Sequence, residues 1–132
     1  MPARRKVSQI ETVEPIDWAP KIEAKERSHD LRSMLDKIKT RDGVIGYILR
    51  ASTSATVDIK DPGKIIDYAV LSTSALEAGE SLSEAFRLGK LSSVVVKGKD
   101  LKLLLVTIDE QRISIFMDKD VDHNSIRKEL PP

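Results

Sequence analysis

PGKIIDYAVLSTSALEAGESLSEAF, residues 62–86, is the stretch on which the fold turns. At helical spacing Ile65, Ile66, Tyr68, Ala69, Leu71, Ala75, Leu76, Gly79, Leu82 and Phe86 form one apolar face, an arc of roughly 200°. A helix lying on a sheet needs about half of that. Small residues (Ala69, Ser72, Ala75, Gly79, Ser83) sit among the large ones and admit a second backbone at close range. The stretch therefore predicts a long helix that packs on its own sheet and also against a second subunit.

Asp61 and Pro62 open this helix, as N-cap and first helical residue, and Gly89 is expected to close it. Upstream, residues 44–51 are β-rich, and 56–59 form a shorter strand after the polar turn Ser52, Thr53, Ser54. Before them Leu31, Met34, Leu35 and Ile38 repeat at i, i+3, i+4, i+7, an amphipathic helix that Gly43 can end. Downstream lies a meander of three strand-like runs, 91–97, 101–108 and 112–118, separated by Gly98-Lys99-Asp100 and Asp109-Glu110-Gln111. Leu103, Leu104, Leu105 and Val106 are apolar on both faces, the mark of a central strand covered on both sides. Asp122 caps a short last helix bearing Ile126 and Leu130, stopped by Pro131 and Pro132.

The order α-β-β-α-β-β-β-α predicts an α/β domain over 21–132. Its five-stranded antiparallel sheet carries the long helix on one face and the two terminal helices on the other. Residues 1–20, punctuated by Pro2, Pro15 and Pro20, read as an extended or disordered arm. Trp18 lies in it with Ile10, Val13 and Ile16, and Ile22 follows. An anchor on the dimer or on a partner competes there with an unstructured tail.

Composition narrows the function classes. The chain has 132 residues, 40% hydrophobic and 33% charged, which fits one ordinary globular domain. With 22 Lys and Arg against 21 Asp and Glu, its net charge of +1 exerts no strong pull on nucleic acid or anionic membranes. It has no cysteine, so disulfides, thiol nucleophiles and thiolate metal sites are excluded, compatible with a reducing cytoplasm. No apolar run reaches the roughly 18 residues that span a bilayer, and no apolar segment follows Arg4, Arg5 and Lys6 to make a secretory signal.

Nothing in the sequence assembles a catalytic centre. His29 and His123 lie far apart, each without a histidine at i+3 or i+4, so they read as surface or capping residues. Asp118, Asp120 and Asp122 alternate like a calcium loop, but the required glycine and final glutamate are missing; they read as turn and cap residues. Gly43, Gly46, Gly79, Gly89 and Gly98 form neither a P-loop nor a dinucleotide fingerprint. No nucleophile elbow surrounds any serine. The expectation is a protein without catalytic activity, cofactor or metal.

LRSML at 31–35, RDGV at 41–44, FRLG at 86–89, VVVKGKDLKLLL at 94–105 and NSIRKEL at 124–130 carry a resemblance, over residues 27–130, to the Roadblock family. This family includes domains related to dynein light chains and to bacterial and archaeal regulators of Ras-like GTPases. Family members often place a glycine in the first hairpin turn, where Ser52 to Ala55 have none. The resemblance implies the profilin-like α/β fold and a homodimer. In that dimer the third strands pair across a two-fold axis and the long helices lie side by side. On this sequence the implied interface is Tyr68, Leu71, Ser72, Ala75, Gly79, Leu82 and Phe86 of the helix, with Leu91, Ser93, Val95 and Lys97 of the strand.

Opposite the apolar face the helix carries Asp67, Ser74, Glu77, Ser81 and Glu84, a solvated ridge on the residues alone. The resemblance implies that two such ridges form a docking platform for a Ras-like small GTPase. Arg87 fits either an arginine finger or a cation at a helix C-terminus. The expectation is a cytoplasmic homodimeric scaffold that modulates a GTPase's nucleotide switch. The alternative is a purely structural adaptor in a larger cytoplasmic, motor or cytoskeletal assembly.

Overall fold

A computed structural model describes residues 30–131. By its contacts the chain separates into Met1–Ser33 and Met34–Pro132. Of the first unit only 30–33 are described, so the arm, Trp18, its apolar neighbours, His29 and the expected boundary at 20/21 lie outside the described residues.

The described chain runs through α1 (30–39), β1 (Val44–Arg50), β2 (Ala55–Ile59), a 3-10 turn (Pro62–Lys64), α2 (Ile65–Ala85), β3 (Ser93–Lys97), β4 (Leu101–Ile108), β5 (Gln111–Asp118) and α3 (His123–Lys128). The five strands form one sheet in the order β2-β1-β5-β4-β3, every neighbouring pair antiparallel. This is the expected element order, and β2 and β3 are the edges.

Alternation along the central strands sets what each face buries. Ile48, Leu103, Leu105 and Phe116 point to one side, where Ala75 and Leu76 of α2 join them in one core cluster. Tyr68 of α2 lies flat on Phe116, ring centroids 4.7 Å apart. The alternate residues Leu104, Val106, Ile113, Ile115 and Met117 are buried on the other face. There the Tyr47 hydroxyl donates to Asp36 of α1 at 2.6 Å, and Lys102 Nζ donates to the Val121 carbonyl, just before α3, at 2.6 Å. Arg41, after α1, pairs with Glu129 and donates to Ser125 Oγ at 2.8 Å, tying the ends of α1 and α3. The long helix and the two terminal helices thus cover opposite faces, as the sequence predicts.

Local chemistry accounts for the joints. The Asp61 carboxylate accepts from Gly63 N at 3.0 Å and Pro62 stands at the first position, but the turn they open is 3-10 before it becomes α-helical. The first hairpin turn closes without glycine through Ala51 N donating to the Ser54 carbonyl at 2.8 Å. Asp109 and Glu110 form a two-residue turn between β4 and β5, both at positive φ, so Gln111 belongs to β5.

The end of α2 differs from expectation. Leu88 N bonds back to the Ser83 carbonyl at 2.9 Å and Arg87 N to Glu84 at 3.4 Å. These are the two bonds of a Schellman motif whose left-handed residue is Arg87, at φ 52°. Gly89, also left-handed, lies beyond the stop. The strand after it starts at Ser93, so Leu91 precedes β3.

Candidate functional site

The sheet absorbs the middle of the apolar arc of α2. Ser72, Ala75, Leu76, Gly79 and Ser83 are buried along it. The Ser72 hydroxyl pairs with that of Ser114 on β5, and Gly79 passes directly over Val94 and Leu91. This corrects part of the expected interface: Ser72, Ala75 and Gly79 are spent on the helix's own sheet. Small residues serve a close helix–sheet approach as well as a close helix–helix one, so residue type alone does not separate the two. Tyr68, Leu71 and Leu91 are half-buried by the same core.

Two apolar groups remain in solvent, on different flanks of α2. Gly79 fixes the flank above β3; Leu82 and Phe86, three and seven residues on, continue it and are 56% and 70% exposed. β3 below them pairs with β4 alone, so its outer row of N–H and C=O groups has no strand beside it among the described residues. Val94 and Val96 of β3 are half-buried under α2, while Ser93, Val95 and Lys97 are exposed on the reverse side. Of the expected interface, then, Leu82, Phe86, Ser93, Val95 and Lys97 gather exposed at one edge of the domain.

On the opposite flank Asp67, Ser74, Glu77, Ser81 and Glu84 are all exposed, as the ridge predicts. Among them stand Ile66 and Val70, 77% and 60% exposed. The sequence places Ile66 in the wide apolar arc and Val70 in neither the arc nor the ridge. The ridge is therefore an apolar pair framed by carboxylates, not a uniformly acidic surface. Its signal in the sequence was the i, i+4 spacing of Ile66 and Val70, offset from the main stripe.

Among the described residues no group of three His, Asp or Glu side chains comes together to hold a metal. Asp122 accepts from Asn124 N at 3.0 Å as the cap of α3, and His123 Nδ1 stands 3.4 Å from Lys102 Nζ. No described helix is long and apolar enough to cross a membrane.

No protein-family model matches this sequence, and no curated protein sequence matches it either. Among solved structures the chain is similar to the crystal structure of a Roadblock/LC7 domain from Streptomyces avermitilis. The two share 18% sequence identity at a TM-score of 0.61, over 73% of this chain and 84% of that one.

Proposed function

We propose that this chain, which has the Roadblock/LC7 fold, is a non-catalytic cytoplasmic scaffold that dimerises and binds a Ras-like small GTPase. One observation carries the reading: α2 leaves Leu82 and Phe86 in solvent directly beside the unpaired edge of β3. An exposed strand edge flanked by large apolar side chains invites pairing. A two-fold axis there covers the patch with its own copy, satisfying strand and helix together.

Dimerisation by that flank sets two copies of the Ile66–Val70 ridge on one surface. Apolar anchors ringed by Asp67, Glu77 and Glu84 match the pattern of a protein-docking surface, a dry centre with a polar rim. Regulation follows from differential affinity: if the platform binds one nucleotide state of the GTPase tenfold more tightly, the switch shifts by about 1.4 kcal/mol. No group on the platform takes part in phosphoryl transfer in this reading, and Arg87 serves as the helix-terminal residue described above.

The test is a titration of the purified protein against Ras-like GTPases encoded in the same genome, each loaded with GDP or a non-hydrolysable GTP analogue. The expected result is saturable binding to at least one GTPase with unequal affinities for its two states, weakened at least tenfold by Val70→Glu. Binding that ignores the nucleotide, or survives Val70→Glu unchanged, rejects the mechanism. Absence of GTPase binding leaves the structural adaptor as the reading.

A further inference from the structure

Arg50 at the end of β1 stands directly opposite Arg112 at the start of β5. Like charges in facing cross-strand positions destabilise a sheet. Among the described residues the compensation is slight: Glu80 reaches Arg112 at 3.8 Å, both half-exposed, and no carboxylate is in ion-pair range of Arg50. Thr107 on β4 stands opposite Arg112 on its other side, so Arg50, Arg112 and Thr107 form one row across three strands.

That row lines a groove of about 870 Å³, together with Leu76 of α2 and with Arg87, Lys90 and Leu91 after it. The volume lies in the range of roughly 300–1,000 Å³ typical of small-molecule sites. Arg87 and Lys90 follow the C-terminal end of α2, where the helix dipole favours cations in any protein. The facing pair Arg50–Arg112 has no such explanation. Two arginines held in facing positions by paired backbone, and lining one groove, can however close on an oxyanion as a fork.

We propose that this groove binds a small molecule with one oxyanion head. The head sits between Arg50 and Arg112, and an apolar body lies over Leu76 and Leu91. Glu80, Glu84 and Glu110 also line the groove, so four cations face three carboxylates. This near-balance disfavours polyanions and suits a single anionic group. Binding displaces Glu80 from Arg112 and relieves the repulsion between the facing arginines. The site lies on the sheet side of α2, shares only Glu84 with the ridge around Ile66 and Val70, and does not depend on GTPase binding.

The experiment titrates the full-length protein with inorganic phosphate and, separately, with acetate and hexanoate, at constant ionic strength set with sodium chloride. Backbone amide shifts at 50–52 and 107–112 are read in each. At least one head group is expected to give saturable shifts confined to the groove, weakened at least tenfold in both Arg50→Gln and Arg112→Gln. Phosphate without carboxylate, or the reverse, assigns the head; hexanoate stronger than acetate is the expected mark of the apolar floor. Arg50→Gln is also expected to raise the melting temperature of the ligand-free protein by about 1–5 °C at low salt, since it removes the facing charge. Linear, unsaturable shifts, or saturation unchanged in the arginine variants, overturn the proposal. So does a lower melting temperature of the folded Arg50→Gln protein.

Discussion

A Cβ built on Gly79 would stand 2.7 Å from Cγ2 of Val94, closer than carbon atoms approach. The backbone of α2 thus rides on β3 with no room for a side chain at this point. The helix over the sheet edge is held by contact with the strand itself, and Leu82 and Phe86 are left to face outward one and two turns later.

Gly79→Ala is the direct check. Alanine gains up to about 1 kcal/mol of helix propensity over glycine, whereas overlap with a neighbour that cannot yield costs about 1–3 kcal/mol. Valine is stiff at χ1, so the clash is expected to win and urea denaturation to show a net loss of about 1–2 kcal/mol. Val94→Ala in the Gly79→Ala background opens the space, and the pair is expected to be less destabilised than the sum of the single variants. A stabilised Gly79→Ala protein would mean that α2 sits higher over β3.

The hydroxyls of Ser72 and Ser114 pair in the core between α2 and β5, both residues buried. Replacing one strands the other, an unmet buried polar group costing about 1–3 kcal/mol. Replacing both removes the need. Ser72→Ala and Ser114→Ala are each expected to lower stability, and the double variant to lie nearer wild type than either single one. Additive losses in the denaturation cycle would show that each hydroxyl has another partner.

Much of this fold was legible because its signals are local. Asp61 and Pro62 open a helix through their own backbone chemistry, and the unbroken apolar run of β4 marks a strand covered on both faces. The end of α2 was misplaced because Arg87-Leu88-Gly89 offers two left-handed residues, and carbonyl satisfaction, not residue preference, selects Arg87. Within the candidate interface, Leu82 and Phe86 were readable as a flank too wide for one sheet. Ser72, Ala75 and Gly79 were not, since periodicity gives the face of a helix and not its occupant. The Arg50–Arg112 pair was invisible for a different reason: it exists only once β1 and β5, distant in sequence, are neighbours.

Glu110 is held at φ 65° in the two-residue turn after β4, with Asp109 at φ 48° before it. Asp tolerates the left-handed region through its short polar side chain, but Glu has no such relief, and Asp-Gly is a preferred pair for this turn. Glu110→Gly is therefore expected to stabilise the protein by about 0.5–1 kcal/mol, the removed strain exceeding the added freedom of the unfolded chain. A thermal melt reads the change. An unchanged or lower melting temperature would mean that the Glu110 side chain makes up the strain elsewhere in the folded state.

The proposed association surface yields the most discriminating comparison, between Ala75 and Leu82, both of which the family resemblance places at the implied interface. Ala75 is 7% exposed and lies in the core cluster under α2, so Ala75→Glu buries a charge within the domain and is expected to unfold it. Leu82 is already in solvent, so Leu82→Glu leaves the domain intact and places a charge, twice over, at any two-fold contact. Light scattering on the wild type is expected to give twice the 14.7 kDa chain mass, and Leu82→Glu, with an unchanged circular dichroism spectrum, a single chain. A wild type that runs as one chain, or a Leu82→Glu protein that stays a dimer, would remove this flank as the association surface. In the second case the edge of β3 alone would have to hold the copies together, and Val95→Pro, which strips a strand donor there, is the variant that decides it.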